Sequence, residues 1–390
     1  MNFLEITFWS LLFIVFYTYL GYGFLLFILV RLKRLFVAKE KTATEYEPEV
    51  SLLVAAFNEK DYVRKKVENT LLLNYPKEKI HQIWITDGSN DETPDVLKEY
   101  PEVEVHHRPE RKGKIAAMNR GVKFVKTPIM IFSDANTQLG KESIRKIVQL
   151  FSDPKVGCVS GEKRIVNKEK DAAAGAGEGF YWKYESTLKK WDAELHSVVG
   201  AAGELFAVRT ELFEEVEPDT LLDDFIISLR IAMKGYTIQY NPEAYAIETA
   251  SASVKEELKR KIRISAGGIQ SIVRLKELLN IFKYGTLSFQ YLSHRVLRWS
   301  LTPLALPLLL VSNGILAFSL SNTLYQFLFV GQLLFYFSAL LGLLLENKKI
   351  RFKPVFIPYY FFIMNYSVYL GFYRYMRKQQ SVNWERAKRG

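Results

Sequence analysis

The sequence holds one cysteine, Cys158, in 390 residues. An internal disulfide is excluded, and the composition fits a reducing compartment. Histidine is also scarce. His81, His106, His107, His196 and His294 lack ligand spacing, and without a Cys/His cluster a structural zinc site is not expected. The small-residue run 172–179 is not followed by Gly-Lys-Ser/Thr, so it reads as a flexible hinge loop rather than a phosphate cradle. Tandem repeats are absent. Residues 1–30 and 299–375 are mostly apolar and aromatic, although charged residues make up 24% of the chain and the formal net charge is +11.

These apolar ends are membrane-grade. Residues 8–30 are about long enough to cross a bilayer at ~1.5 Å per residue. Glu5 precedes them and Arg31-Leu32-Lys33-Arg34 follows, which favours an uncleaved anchor with the next domain in the cytosol. Residues 301–320 and 324–345 form two further spans joined by a tight turn near Ser321-Asn322. The stretch 354–375 is expected to be a third C-terminal span. As such it would carry the basic tail 374–390 outward, against the positive-inside tendency, and Pro354, Pro358, Asn365 and several tyrosines also suit a re-entrant or interfacial element. His294, beside Arg295, Arg298 and Trp299, reads as a membrane-interface residue. Basic residues flanking the apolar segments favour a membrane surface over nucleic acid, because most aromatics lie in the apolar ends. The expected layout is an anchor and linker over 1–47, a cytosolic domain over 48–254, interfacial helices over 255–299, spans over 300–376 and a basic tail over 377–390. The protein is thus read as a multi-pass protein of the cell (inner) membrane.

Between the ends, short β-rich runs alternate with helical stretches. Strands are expected at 51–56, 81–86, 103–107, 129–133 and 156–160, with helices at 60–73, 93–99, 114–126, 141–151 and 255–279. Such alternation predicts an α/β fold with a mostly parallel sheet flanked by helices. Several of the strands end in acidic turns, where open α/β sheets bind ligands. Ala55-Ala56-Phe57-Asn58-Glu59 leaves Glu59 at the sheet edge, with Asn58 as a helix cap. Asp87 follows Ile83-Trp84-Ile85 and could accept a hydrogen bond from a base or ribose, although an isolated Asp-Gly is first of all an Asx-turn. Arg111-Lys112-Gly113-Lys114 opens a helix and suits an anion, or is a solvated basic loop. Asp134 and Asn136, at alternate positions, could share Mg²⁺ or Mn²⁺, with substrate phosphates completing the shell. Asp223-Asp224 opens another helix; close like charges raise one pKa, which suits a general base.

The order AAFNE, TDGSND, RKGKIAAMN, SDAN, GAAGELFAVR, LLDDF and RKIRISAGG resembles membrane-bound family 2 glycosyltransferases, which include the synthases of cellulose, hyaluronan and poly-N-acetylglucosamine. The resemblance covers roughly residues 50–268. It implies a nucleotide-diphospho-sugar transferase fold of GT-A type and inverting transfer of a hexose or N-acetylhexosamine from a UDP-sugar to a polysaccharide or glycolipid, with export or accessory subunits as further partners. It places Ala56, Glu59 and Asp87 at the donor, Glu59 and Asp87 on its uridine. Lys114 falls near the diphosphate, Asp134 on a divalent cation, and Asn136 where the family's DxD has its second acid. Gly203, Glu204 and Asp223 fall at the acceptor, Asp224 is the base, and Arg263 matches the arginine of QxxRW. Arg260 and Ile264 stand where the polymerising synthases have Gln and Trp, a departure that bears on processive polymerisation rather than on sugar transfer. The readings outside this class are a non-catalytic membrane scaffold and a nucleic-acid binder.

Overall fold

The computed structural model describes residues 2–37, 45–166, 173–249, 254–320, 322–347 and 352–379. The chain enters through α1 (Phe3–Phe16) and α2 (Tyr22–Phe36), joined by the π-helical turn Tyr17–Gly21. The central domain runs β1 (Val50–Ala56), α3 (Lys60–Leu71), β2 (Ile80–Asp87), α4 (Thr93–Lys98), β3 (Val103–Arg108), α5 (Lys114–Val122), β4 (Ile129–Ser133), β5 (Gln138–Leu139), α6 (Ser143–Val148), β6 (Val156–Val166), α7 (Ala173–Leu195), β7 (Leu205–Arg209), α8 (Asp223–Met233) and β8 (Thr237–Thr249). Then follow α9 (Val254–Arg274), α10 (Ile281–Tyr291), the short α11 (Leu297–Trp299), α12 (Leu301–Ser319), α13 (Thr323–Asn347) and α14 (Lys353–Met376).

One sheet organises the domain, with strand order β3-β2-β1-β4-β7-β6-β8-β5. β3, β2, β1 and β4 are mutually parallel; β7 runs antiparallel between β4 and β6, and β6 and β8 are parallel. β1 is buried along its whole length, as a central parallel strand covered on both faces should be. Its side chains alternate between two cores. Leu53 joins Ile85, Met118, Phe206 and Phe225 on one face, while Leu52 and Val54 join Val67, Trp84 and Ile147 on the other. This arrangement brings the carboxyl ends of β1, β2 and β4 to one edge, beside the start of α5.

The small-residue run is a correction to the sequence reading: residues 173–179 begin α7 rather than form a loop, and only Ala172 lies outside the described residues. Alanine is the strongest helix former, and three glycines do not outweigh the long helix that follows. Asn58 is a second correction. It takes a positive φ of 53°, and Glu59, not Asn58, immediately precedes α3. The Asn58 amide instead donates to Asn90 at 2.8 Å, tying the β1 and β2 exit turns together. His294 is a third. It is fully buried, with Nδ1 2.5 Å from Asp192 and Nε2 3.1 Å from Glu185. The expected helix 255–279 breaks at Arg274, and a 3₁₀ turn, Lys276–Leu279, follows. Among the described residues four helical stretches, Phe3–Phe36, Leu301–Ser319, Thr323–Glu346 and Pro354–Met376, are long and apolar enough to cross a membrane. The tail beyond residue 379 lies outside the described residues.

Candidate active site

The site is built on the dipeptide Gly113-Lys114. Gly113 has a φ of 93°, a conformation that favours glycine, and it turns the chain into α5. Its N–H donates to Asp87 Oδ2 at 2.7 Å, and the Lys112 N–H donates to the same oxygen at 2.9 Å. Asp87 thereby fixes the basic loop against the end of β2. Gly88, at φ 71°, lets Arg111 approach so closely that an added Cβ would lie 2.6 Å from the arginine's own. Ala56, Phe57, Asp87, Arg111 and Lys114 line one cleft, and the Arg111 guanidinium sits 3.7 Å above the Phe57 ring. Glu59 is buried at the rim, where its N–H donates to Thr93 Oγ1 at 2.9 Å.

Lys114 joins the first acid to the others. Its ammonium donates to Asp134 Oδ1 at 2.9 Å and lies 3.5 Å from Asp223 Oδ2. Burial works against the lysine's charge, but Asp134, Asp223 and Asp224 outweigh it and hold its pKa above the ordinary range. Asp134 is raised by burial despite Lys114, with Glu204 and Glu248 adding to the rise. Asp224 is pushed up to about 7, first by burial and next by the charge of Asp223. Asp223 Oδ2 is buried and accepts no hydrogen bond among the described residues.

Gly203 packs against Asp224; a Cβ there would lie 3.2 Å from Asp224 Oδ2. Neighbouring Glu204 ion-pairs with Lys163, which also holds Glu248. Burial acts to raise the Glu204 pKa, and Lys163 prevails, keeping it well below the ordinary carboxylate range. Asn136 turns toward this group, its amide 3.5 Å from Glu248 Oε1. Arg263 comes from α9. Burial and Arg260 lower its pKa, while Asp223, Asp134 and Asp224 act to raise it. Seven of the sequence-predicted residues therefore gather at one edge of the sheet, in two neighbouring groups. Asp87, Lys114, Asp134, Asp223 and Asp224 surround one ammonium or its loop, while Glu204 and Asn136 belong to the adjoining Lys163 pair.

Two lysines escaped the sequence reading. Lys163 lies within β6, in a Gly-Glu-Lys-Arg stretch that reads as a turn. Lys66 is only 1% exposed, and its ammonium donates to Ser133 Oγ at 2.7 Å and Thr137 Oγ1 at 3.2 Å, directly behind Asp134. Its signal was present: Val63, Lys66, Val67 and Thr70 form one buried helical stripe.

A mostly parallel sheet flanked by helices, with acidic and basic groups gathered at its carboxyl edge, is a GT-A-like fold. Residues 51–217 match the Glycosyl transferase family 2 domain, so the chain carries a glycosyltransferase domain of this kind. It is 26% identical over 233 residues to the poly-beta-1,6-N-acetyl-D-glucosamine synthase of Staphylococcus aureus (strain MSSA476), covering 58% of this chain and 56% of the relative. To the probable glycosyltransferase YdaM of Bacillus subtilis (strain 168) it is 27% identical over 251 residues, covering 60% and 58%. The match thus spans little more than half the length of these relatives. Among solved structures, the mannosyltransferase PcManGT from Pyrobaculum calidifontis, in complex with GDP-Man and Mn2+, superposes with a TM-score of 0.71 at 21% identity. The likeness covers 97% of this chain and 100% of that one, and it establishes a shared fold.

Proposed function

We propose that the protein transfers a hexose or N-acetylhexosamine from a UDP-sugar, with inversion, to a growing polysaccharide at the cytosolic face of the cell membrane. The observation that carries this is the Lys114 ammonium set between Asp134 and Asp223, beside a half-buried Asp224 with a raised pKa. The cleft from Ala56 to Arg111 takes the nucleoside, with Glu59 and Asp87 at its base and ribose. Lys114 and Arg263 hold the diphosphate. Gly203, Glu204 and Asp223 border the acceptor. The likeness to the staphylococcal poly-beta-1,6-N-acetyl-D-glucosamine synthase supports a polysaccharide product.

Asp224 acts as the base. Its carboxylate takes the proton of an acceptor hydroxyl as that oxygen bonds to the anomeric carbon. The bond from that carbon to the donor diphosphate breaks on the opposite face, so an α-linked donor gives a β-glycoside. Lys114 and Arg263 offset the charge that collects on the departing diphosphate.

The donor set fits a divalent cation. Asp134 and Asp223 Oδ2, which accepts no hydrogen bond among the described residues, are hard oxygen ligands, with the Asn136 amide oxygen as a further one. Among the described residues no three Asp, Glu, His or Cys side chains are placed to hold a metal ion by themselves. Mg²⁺ or Mn²⁺ would therefore be held by Asp134 and Asn136 together with donor phosphates and water, and when bound it supplies further charge neutralisation.

Membranes carrying the protein are expected to transfer label from one of a panel of UDP-sugars, and not from GDP-mannose, in a chelator-sensitive reaction whose product can be sized. Asp224→Asn should lower the rate by about 10²–10⁴-fold while UDP binding persists. Wild-type rates in that variant would remove Asp224 from the mechanism. A single transfer to a lipid-linked sugar is the second reading; Ile264 in place of tryptophan favours it, and a product of fixed small size would establish it.

A further inference from the structure

The depth of each apolar helix in the bilayer can be read from its partners. α1 and α12 run side by side. Phe8 clusters with Leu309, Leu316, Ala317 and Tyr325 at one end. At the other end Thr18 and Thr302 meet through their hydroxyls at 2.9 Å. α13 runs antiparallel to α12, with Gly314 against the Phe329 ring, so its start lies at the Phe8 end. The Thr18–Thr302 end faces the catalytic domain, because α2 continues from it along α7, where Lys33 donates to the carbonyls of Glu194 and Leu195.

α14 does not follow this pattern. Its 24 residues would span ~36 Å, enough to cross. A crossing would carry its later turns toward Phe8 and Tyr325. Instead its partners lie on the catalytic side, with Phe335 at the middle of α13 the one exception among those described. Tyr359 packs on Gly342, near the end of α13. Asn365 accepts from the Tyr19 hydroxyl at 2.6 Å, and Tyr19 adjoins Thr18. Phe361 reaches highest, touching both Tyr19 and Phe335. Beyond it the partners return: Tyr369 donates to the Pro303 carbonyl at 2.5 Å, Ser367 meets Ser265 of α9 at 3.2 Å, and Gly371 rests on Ser265 and Ala266. From Tyr359 to Gly371 the helix advances about 18 Å without leaving this level.

We propose that α14 is not a fourth span but lies along the catalytic-side surface of the bilayer, across the ends of three spanning helices. Its occupant is the lipid leaflet. Ile357, Phe362, Tyr366 and Phe372 are exposed to meet acyl chains. Arg374, Arg377 and Lys378 follow at the headgroups of the same leaflet. The opposite face of α14 braces α9 two residues beyond Arg263. This holds whichever compartment the catalytic domain occupies, and it does not depend on the transfer chemistry.

The test uses the full chain in sealed vesicles. In a Cys158→Ser background, Thr323→Cys and Gln379→Cys are labelled with a membrane-impermeant maleimide, in right-side-out and inverted preparations. Labelling from opposite faces is expected; labelling from the same face overturns the proposal. Nitroxides at positions 357, 366 and 373 should report one shared immersion depth. A depth gradient approaching the ~24 Å rise of sixteen helical residues also overturns it.

Discussion

Asp224 is held between opposing influences. Burial and Asp223 favour its neutral form, and Lys114 favours its charge, leaving a pKa of about 7. A base must be ionised, so kcat/KM should fall about tenfold per pH unit below that value and level off above it. Removing the like charge with Asp223→Asn should carry this acid limb to lower pH. A pH–rate profile of both proteins checks it; a limb that stays in place would show that Asp223 does not set the titration. Lys66 acts on the same site from behind. Among the described residues it has no carboxylate partner, only hydroxyls on either side of Asp134, and burial lowers its pKa to about 7 against the pull of Asp134. Such a group positions the Asp134 turn without touching substrate. Lys66→Met should weaken Mn²⁺ binding in the presence of UDP by about 10–100-fold, as loss of a supporting partner does elsewhere; titration calorimetry measures this directly. The acids were legible in the sequence because each follows an apolar run. Lys66 was not, because lysine is read by default as solvated.

At the scale of elements, the close approach of α5 to the sheet sets where Lys114 stands. Gly121 makes that approach possible: a Cβ there would lie 2.5 Å from Leu53 Cδ1 and 2.8 Å from Ile85. Gly121→Ala should push α5 outward, lower stability by about 1–3 kcal/mol and raise the donor KM, because the helix start carries the ammonium. Thermal unfolding with donor kinetics tests both halves of this statement. The β1–β4 half of the sheet was readable, since each strand is a compact apolar run followed by a helix. The other half was not. β7 is a five-residue strand entered from a glycine turn, and β8 runs through Asn241-Pro242. β6 continues past Ser160 across Glu162, Lys163 and Arg164, charges that become tolerable only once Glu204, Glu248 and Tyr245 surround them.

In the whole molecule, a buried charge cluster joins the membrane helices to the catalytic domain. Glu185 of α7 receives Arg295 at 2.6 Å, Arg298 at 2.8 Å and His294 at 3.1 Å. Burial acts to raise the Glu185 pKa, but Arg295, His294 and Arg298 hold it well below the carboxylate range. Asp192, one helical face along, receives the Tyr22 hydroxyl from α2 at 2.5 Å. Arg295 also donates to the Val199 carbonyl at 3.3 Å, next to Gly200, whose φ of 85° and close contact with Phe225 shape the loop before Gly203. One carboxylate thus anchors the membrane-proximal cations and, through Arg295, the loop that borders Asp224. Glu185→Ala strands three buried donors and should lower stability by about 3–5 kcal/mol. Glu185→Gln keeps the volume and two hydrogen-bonding atoms, so it should recover part of that loss. Unfolding of the detergent-solubilised protein ranks the variants. Acceptor KM should follow the same order while donor binding, centred on Lys114, stays near wild type. Equal losses in both would mean that the cluster supports the fold as a whole and not the acceptor loop in particular.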